Sequence, residues 1–92
     1  MIRSFRHKGL EQFYQRGEGR RLPPELLSRI RLLLHALGNA KDVADLSVAS
    51  YRLHSLKGDL RGFRSLTVRA NWRIVFSFDD GDAYDVDFLD YH

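Results

Sequence analysis

The chain has 92 residues, 43% of them hydrophobic and 29% charged, proportions that suit one soluble domain built around one core. It contains no cysteine, which excludes disulfide staples, thiolate chemistry and cysteine-ligated zinc. The net charge of +3 conceals an asymmetry: all 15 cations lie between Arg3 and Arg73, whereas six of the 12 acids fall in residues 79–92.

Taken in chain order, the opening MIRSFRHKGL carries positive charge without an apolar stretch behind it. It does not read as a secretory signal, and MIRSF suits a short edge strand. From Lys8, the apolar residues Leu10, Phe13 and Tyr14 recur at helical spacing, predicting a short amphipathic helix that ends near Gly17–Gly19. RRLPPELLSRIRLLLHALGN is the clearest element. Pro23 and Pro24 suit a helix start, Glu25 the first turn and Gly38–Asn39 the stop, with Leu26, Leu27, Ile30, Leu33, Leu34 and Leu37 as the buried stripe. The run LLL at 32–34 is cut by His35, far short of a membrane span, which leaves the cytoplasm as the expected compartment. KDVADLS suits one further helical turn.

The period then changes from about 3.6 to two. YRLHSLKG sets Tyr51 and Leu53 against Arg52 and His54; GDLRG at 58–62 has turn chemistry. FRSLTVRA sets Leu66 and Val68 against Ser65, Thr67 and Arg69, and NWRIVFSF sets Trp72, Ile74, Phe76 and Phe78 against Arg73, Val75 and Ser77. After the acidic turn DDGD, AYDVDFLDYH sets Tyr84, Val86 and Phe88 against Asp85, Asp87 and Leu89. Helices followed by a β-meander predict an α+β fold with the helices on one sheet face. The other face is then open and carries Arg52, His54, Arg69 and Arg73, with Tyr91 near its edge. Strict alternation would put Asp90 and His92 on the core side with Phe88.

Residues 1–78 hold 15 cations and six acids, a net +9, against −6 for residues 79–92. Twelve of the cations are arginine, the side chain suited to bidentate phosphate contact. Such a body fits a polyanionic partner as well as it fits a merely soluble surface. His7, His35, His54 and His92 have no i, i+4 partner, so no metal site is predicted, and the scattered glycines form no phosphate loop. His7 and His35 read as incidental or helix-surface residues, and Trp72 as core. His54, Lys57, Arg73, Asp90, Tyr91 and His92 supply the groups that RNA cleavage requires. A base takes the 2′-hydroxyl proton, cations hold the charged phosphorane and an acid protonates the leaving oxygen, with neither metal nor cofactor. A basic sheet that binds RNA without cutting it fits these residue types equally well.

Three stretches, MIRSFRHKGL, RLHSLKGDLRGFRSLTVRANWRIVF and GDAYDVDFLDYH, resemble the HigB toxins (HigB/GraT group) of the RelE-like superfamily of type II toxin–antitoxin systems. The resemblance runs nearly the whole length, as one toxin domain over residues 1–92. It implies a RelE-like fold, two N-terminal helices packed on one face of a mainly antiparallel four- to five-stranded sheet. It implies a ribosome-dependent endoribonuclease that cuts mRNA in the 30S A site of the 70S ribosome. A HigA-type helix-turn-helix antitoxin would neutralise it, and operator DNA would be reached only through that antitoxin. Carried onto this sequence, the active site falls on His54, Asp90, Tyr91 and His92. Lys57 and Arg73 match positions associated with phosphate contact. Arg69 is expected on RNA or paired with the acidic tail at Asp85 and Asp87. His92 is the expected acid–base group with His54 as its complement, Tyr91 a stacking platform and Asp90 an orienter of a histidine.

Overall fold

A computed structural model describes residues 1–91; His92, the expected acid–base residue, lies outside the described residues. Two helices precede a sheet: α1 (Lys8–Arg16), α2 (Leu27–Asn39), then β1 (His54–Ser55), β2 (Arg64–Arg69), β3 (Trp72–Asp79) and β4 (Asp82–Asp90). The strands lie in chain order, each antiparallel to the next. The expected α+β arrangement is what forms.

The helix signals act where the sequence places them, with one addition. Imidazole Nδ1 of His7 accepts the Leu10 N–H at 3.1 Å, so this histidine is the N-cap of α1 rather than incidental. Gly17 ends α1 with φ 74°, a left-handed conformation that costs glycine nothing. The segment Pro24–Leu26 forms a 3-10 turn that leads into α2. Ile30, Leu33, Leu34 and Leu37 of α2 are buried against Leu66, Ile74, Phe76, Val86 and Phe88 of the sheet. Each fully buried side chain of this kind contributes about 1.5–3 kcal/mol. The KDVADLS turn is a 3-10 turn over Val43–Leu46, closed by a capping box between Asp42 and Asp45. Backbone N–H groups of Lys41 and Asp42 hydrogen-bond the Asp45 carboxylate and hold its pKa below the ordinary value. Among the described residues no helix is long and apolar enough to cross a membrane.

The N-terminal segment lies along β4 as a parallel edge, with Arg3 N–H donating to Ala83 O and Arg6 N–H to Val86 O, both at 2.8 Å. Asp82 accepts from Arg3 at 3.1 Å and lies 3.4 Å from the terminal ammonium. Hydrogen bonding to Arg3, more than the ammonium, holds the Asp82 carboxyl below the usual carboxylate range.

Strand phase is where the structure departs from simple alternation. Tyr51 and Leu53 are not in a strand: Ala49–Tyr51 is a 3-10 turn, and Arg52, with φ 51°, ends it in the left-handed region. Only His54 and Ser55 pair with β2, because that turn consumes the residues alternation had given to β1. In β4, Ser77 pairs with Tyr84 while Val75 pairs with Asp87, so β4 contains one extra residue. Asp85, with φ 55°, lies in this bulge. Ala83, Val86 and Phe88 therefore face the core, and Tyr84 shares the opposite face instead of joining Val86 and Phe88. Ser4 on the parallel edge receives the Asp85 N–H at 2.9 Å, satisfying a backbone donor at the bulge.

The second sheet face is not bare either. Val75 is 1% and Leu56 8% exposed, although neither joins the helix-side core. The edge of that face is β1, whose pairing with β2 is carried one step past Ser55–Arg64 by Leu56 N–H donating to Phe63 O at 3.0 Å.

Candidate functional site

A cavity of about 280 Å³ opens at the β1 edge of the sheet, on the face that carries Ser65 and Arg73. Its walls come from separate parts of the chain: His54 and Ser55 from β1, Leu56 and Lys57 just after it, Ser65 from β2, Arg73 from β3 and Tyr91 just beyond β4. Strand register explains the convergence. His54 lies opposite Ser65, which lies opposite Val75, so these three share one row across the sheet. The neighbouring row runs Thr67, Arg73, Leu89. Side chains directly opposite one another on a sheet face lie within about 5.5 Å at Cβ. The pairs His54–Ser65 and Thr67–Arg73 are therefore neighbours by construction.

Of the expected site residues, the structure brings four together at this cavity: His54, Lys57, Arg73 and Tyr91. Tyr91 is fixed by its N–H, which donates to Asn71 O at 2.8 Å and carries the β3–β4 pairing one step beyond the strand. Asp90 lies opposite Trp72, on the core-side phase that alternation assigns it, and is not among the residues lining the cavity. Arg69 stands apart, exposed at the β2–β3 hairpin, where it lines a separate depression with Pro23, Glu25 and Trp72. A bulge between Thr67 and Arg69 interrupts the pairing just before it, so Arg69 does not continue the row of Arg73. The acidic tail has another partner: Asp85 lies 3.9 Å from Arg6.

The cavity is positive by composition. Lys57 and Arg73 line it together with the imidazole of His54, and among the described residues no carboxylate does. Two polar atoms here are buried without a hydrogen-bond partner among the described residues, Ser65 Oγ and Arg73 Nε. Native interiors rarely leave such groups unmet. Arg73 Nη1 donates to Thr67 Oγ1 at 2.6 Å, which fixes the orientation of the guanidinium. Among the described residues no group of three or more histidine or acidic side chains is placed to hold a metal ion.

Sequence reasoning did not single out Ser65 and Thr67, and it gave Arg29 no part in this site. The first two stand in the FRSLTVRA alternation on the side away from Leu66, and their pairing with His54 and Arg73 is a matter of register. Arg29, which the sequence sets off the leucine stripe, equally open to ribosomal RNA or to solvent, reaches from α2 to the sheet. Its Nη2 donates to Thr67 O at 3.1 Å and also to Ser50 O, and its guanidinium lies 5.9 Å from the Tyr51 ring centre.

A model of the HigB-like toxin family, described as RelE-like toxins of the type II toxin–antitoxin system HigB, matches residues 3–92. An endoribonuclease HigB of Proteus vulgaris is 46% identical over 92 residues, covering all of both chains. Toxin HigB-1 of Vibrio cholerae is 33% identical over 94 residues, covering all of this chain and 98% of the relative. In three dimensions the fold is similar to that of the YoeB–YefM toxin–antitoxin complex from Staphylococcus aureus, at a TM-score of 0.62 and 20% identity, covering all of this chain and 95% of the other. With a full-length family match and full-length relatives above 30% identity, the chain belongs to the HigB-like family of RelE-like toxins of type II toxin–antitoxin systems.

Proposed function

We propose that this toxin cuts mRNA in the A site of the 70S ribosome, by attack of a 2′-hydroxyl on the adjacent phosphate, and so halts translation. RNase activity itself follows from family membership and from the full-length likeness to an endoribonuclease. The observation that carries the finer reading is the convergence of His54, Lys57, Arg73 and Tyr91 on one positive cavity.

The chemistry needs few parts. A base removes the 2′-hydroxyl proton, the 2′-oxygen bonds to phosphorus, the P–O5′ bond breaks and an acid protonates the departing 5′-oxygen, leaving a 2′,3′-cyclic phosphate. His54 is one of the two proton carriers, since imidazole is the side chain that exchanges protons near neutrality. His92, outside the described residues, is proposed as the other. Arg73 and Lys57 hold the phosphate and the charge that grows on it. Tyr91 offers a ring face to an unstacked base, and Asp90 at the end of β4 orients a histidine. Arg69, outside the cavity, contacts the RNA backbone further along. The ribosome supplies the splayed mRNA that an open cavity of this size cannot impose by itself.

The partner that neutralises the toxin is proposed as a HigA-type helix-turn-helix antitoxin, through which alone operator DNA is reached. The toxin is proposed to act in the cytoplasm, where translation takes place. The direct test is incubation of the purified protein with mRNA programmed on 70S ribosomes, with free mRNA as control. A-site cleavage is expected only on the ribosome, and it disappears with a 2′-deoxy nucleotide at the scissile position and in His54→Ala. Equal cleavage of the 2′-deoxy substrate would overturn the mechanism, and equal cleavage of free mRNA would overturn the ribosome requirement.

A further inference from the structure

We propose that Thr67 is a positioning residue for the reaction: its hydroxyl, anchored from α2 through Arg29, presets the Arg73 guanidinium against the scissile phosphate. The proposal rests on the nuclease reading above and adds a residue that this reading does not use.

Three observations meet at Thr67. It lies directly across the strand pair from Arg73 on the cavity face. Its Oγ1 accepts from Arg73 Nη1 at 2.6 Å, at the short end for a charge-assisted bond. Its carbonyl accepts from Nη2 of Arg29 at 3.1 Å, and the same nitrogen donates to Ser50 O. A relay thus runs from α2 to the cavity, α2 holding Arg29, Arg29 holding the Thr67 backbone, and the Thr67 hydroxyl holding Arg73.

The chemistry of each member suits that task. A long arginine side chain must give up rotamer freedom to present its donors in one orientation. Arg73 Nε has no hydrogen-bond partner among the described residues, so nothing at that atom fixes the fork. The bulge after Thr67 interrupts the ladder there, and Arg29 supplies a donor to the carbonyl at that point. A guanidinium fixed before substrate arrives needs no reorganisation as charge develops on the phosphate. Loss of the Thr67 hydroxyl should therefore lower turnover more than it weakens substrate binding.

The test measures cleavage on programmed ribosomes for Thr67→Val, which removes the hydroxyl at nearly constant volume, and for Thr67→Ser, which keeps it. Each is measured in the wild-type and Arg73→Ala backgrounds, with thermal melts to verify folding. Thr67→Val is expected to lower kcat about tenfold, the scale of one hydrogen bond to a charged group, with KM within about twofold. Thr67→Ser should stay near wild type, and the loss should vanish in Arg73→Ala. If Thr67→Val does not fold, Thr67→Ala repeats the measurement. A silent Thr67→Val beside an impaired Arg73→Ala overturns the positioning role while leaving the nuclease reading intact. The same tenfold loss in the Arg73→Ala background also overturns it, because the effect would then not pass through Arg73. A wild type that cleaves nothing overturns the nuclease reading, and this proposal falls with it.

Discussion

Replacement of Phe88 by leucine tests how the end of β4, and with it Tyr91, is held to the body of the protein. Phe88 is 6% exposed, stacks on Trp72 with ring centres 4.7 Å apart and meets His7 edge-on at 5.9 Å. Leucine keeps the site apolar at slightly smaller volume, which by itself costs less than about 1.5 kcal/mol. It abolishes both ring contacts, each worth about 0.5–1.5 kcal/mol beyond area burial. The expected destabilisation is therefore about 1–4.5 kcal/mol, a fall in Tm of about 4 °C or more for a domain of this size. Trp72 is the only tryptophan, so urea unfolding followed by its emission reads the stack directly. In a Trp72→Leu background, followed instead by circular dichroism, the Phe88→Leu penalty should shrink by the pair energy of about 0.5–1.5 kcal/mol. A loss below about 0.5 kcal/mol, or an undiminished penalty in Trp72→Leu, refutes the view that the aromatic stack clamps this strand end.

Tyr91→Ala should weaken mRNA engagement on the ribosome by about 1–3 kcal/mol, the worth of one base–aromatic stack, while Tyr91→Phe keeps it; the ratio of KM values separates the two. Asp82→Asn removes the negative charge that faces Arg3 and the terminal ammonium. Because the folded-state carboxyl titrates below its unfolded value, its contribution is complete above the ordinary carboxylate pKa and is lost as pH falls through the lowered one. Denaturant titrations across acid pH should show wild type more stable than Asp82→Asn at neutrality and the two converging in strong acid. Gly17→Ala should cost about 1 kcal/mol, read as a lowered urea midpoint. At φ 74° an added Cβ meets nothing within 4 Å, so the cost is conformational alone.

Much of the fold is legible in local pattern. The leucine spacing of residues 26–37 commits them to a helix with one apolar face, because only a period of about 3.6 aligns those side chains. The alternation from Leu66 to Phe78 commits that stretch to a two-strand meander. The strings around His54 and Arg73 and the DYH ending carry the family. The cavity was legible only in its ingredients. Alternation separates the side chains of one strand into two faces, but it says nothing of which residues on different strands become neighbours. That depends on register, and register here shifts at two bulges.

Residue types and their periods are properties of the sequence by itself, and they determined the α+β class, the basic body and the candidate residues of the site. Tertiary structure alone decided the phase of β4, since its bulge at Asp85 is held by Ser4, 81 positions away in the chain. It also decided that His54 and Lys57 at the β1 edge line one cavity with Ser65, Arg73 and Tyr91. And it alone linked Arg29 on α2 to Thr67 and Arg73. The Ser4 and Arg29 contacts join segments far apart in sequence, and each satisfies a backbone polar group where a bulge interrupts the ladder.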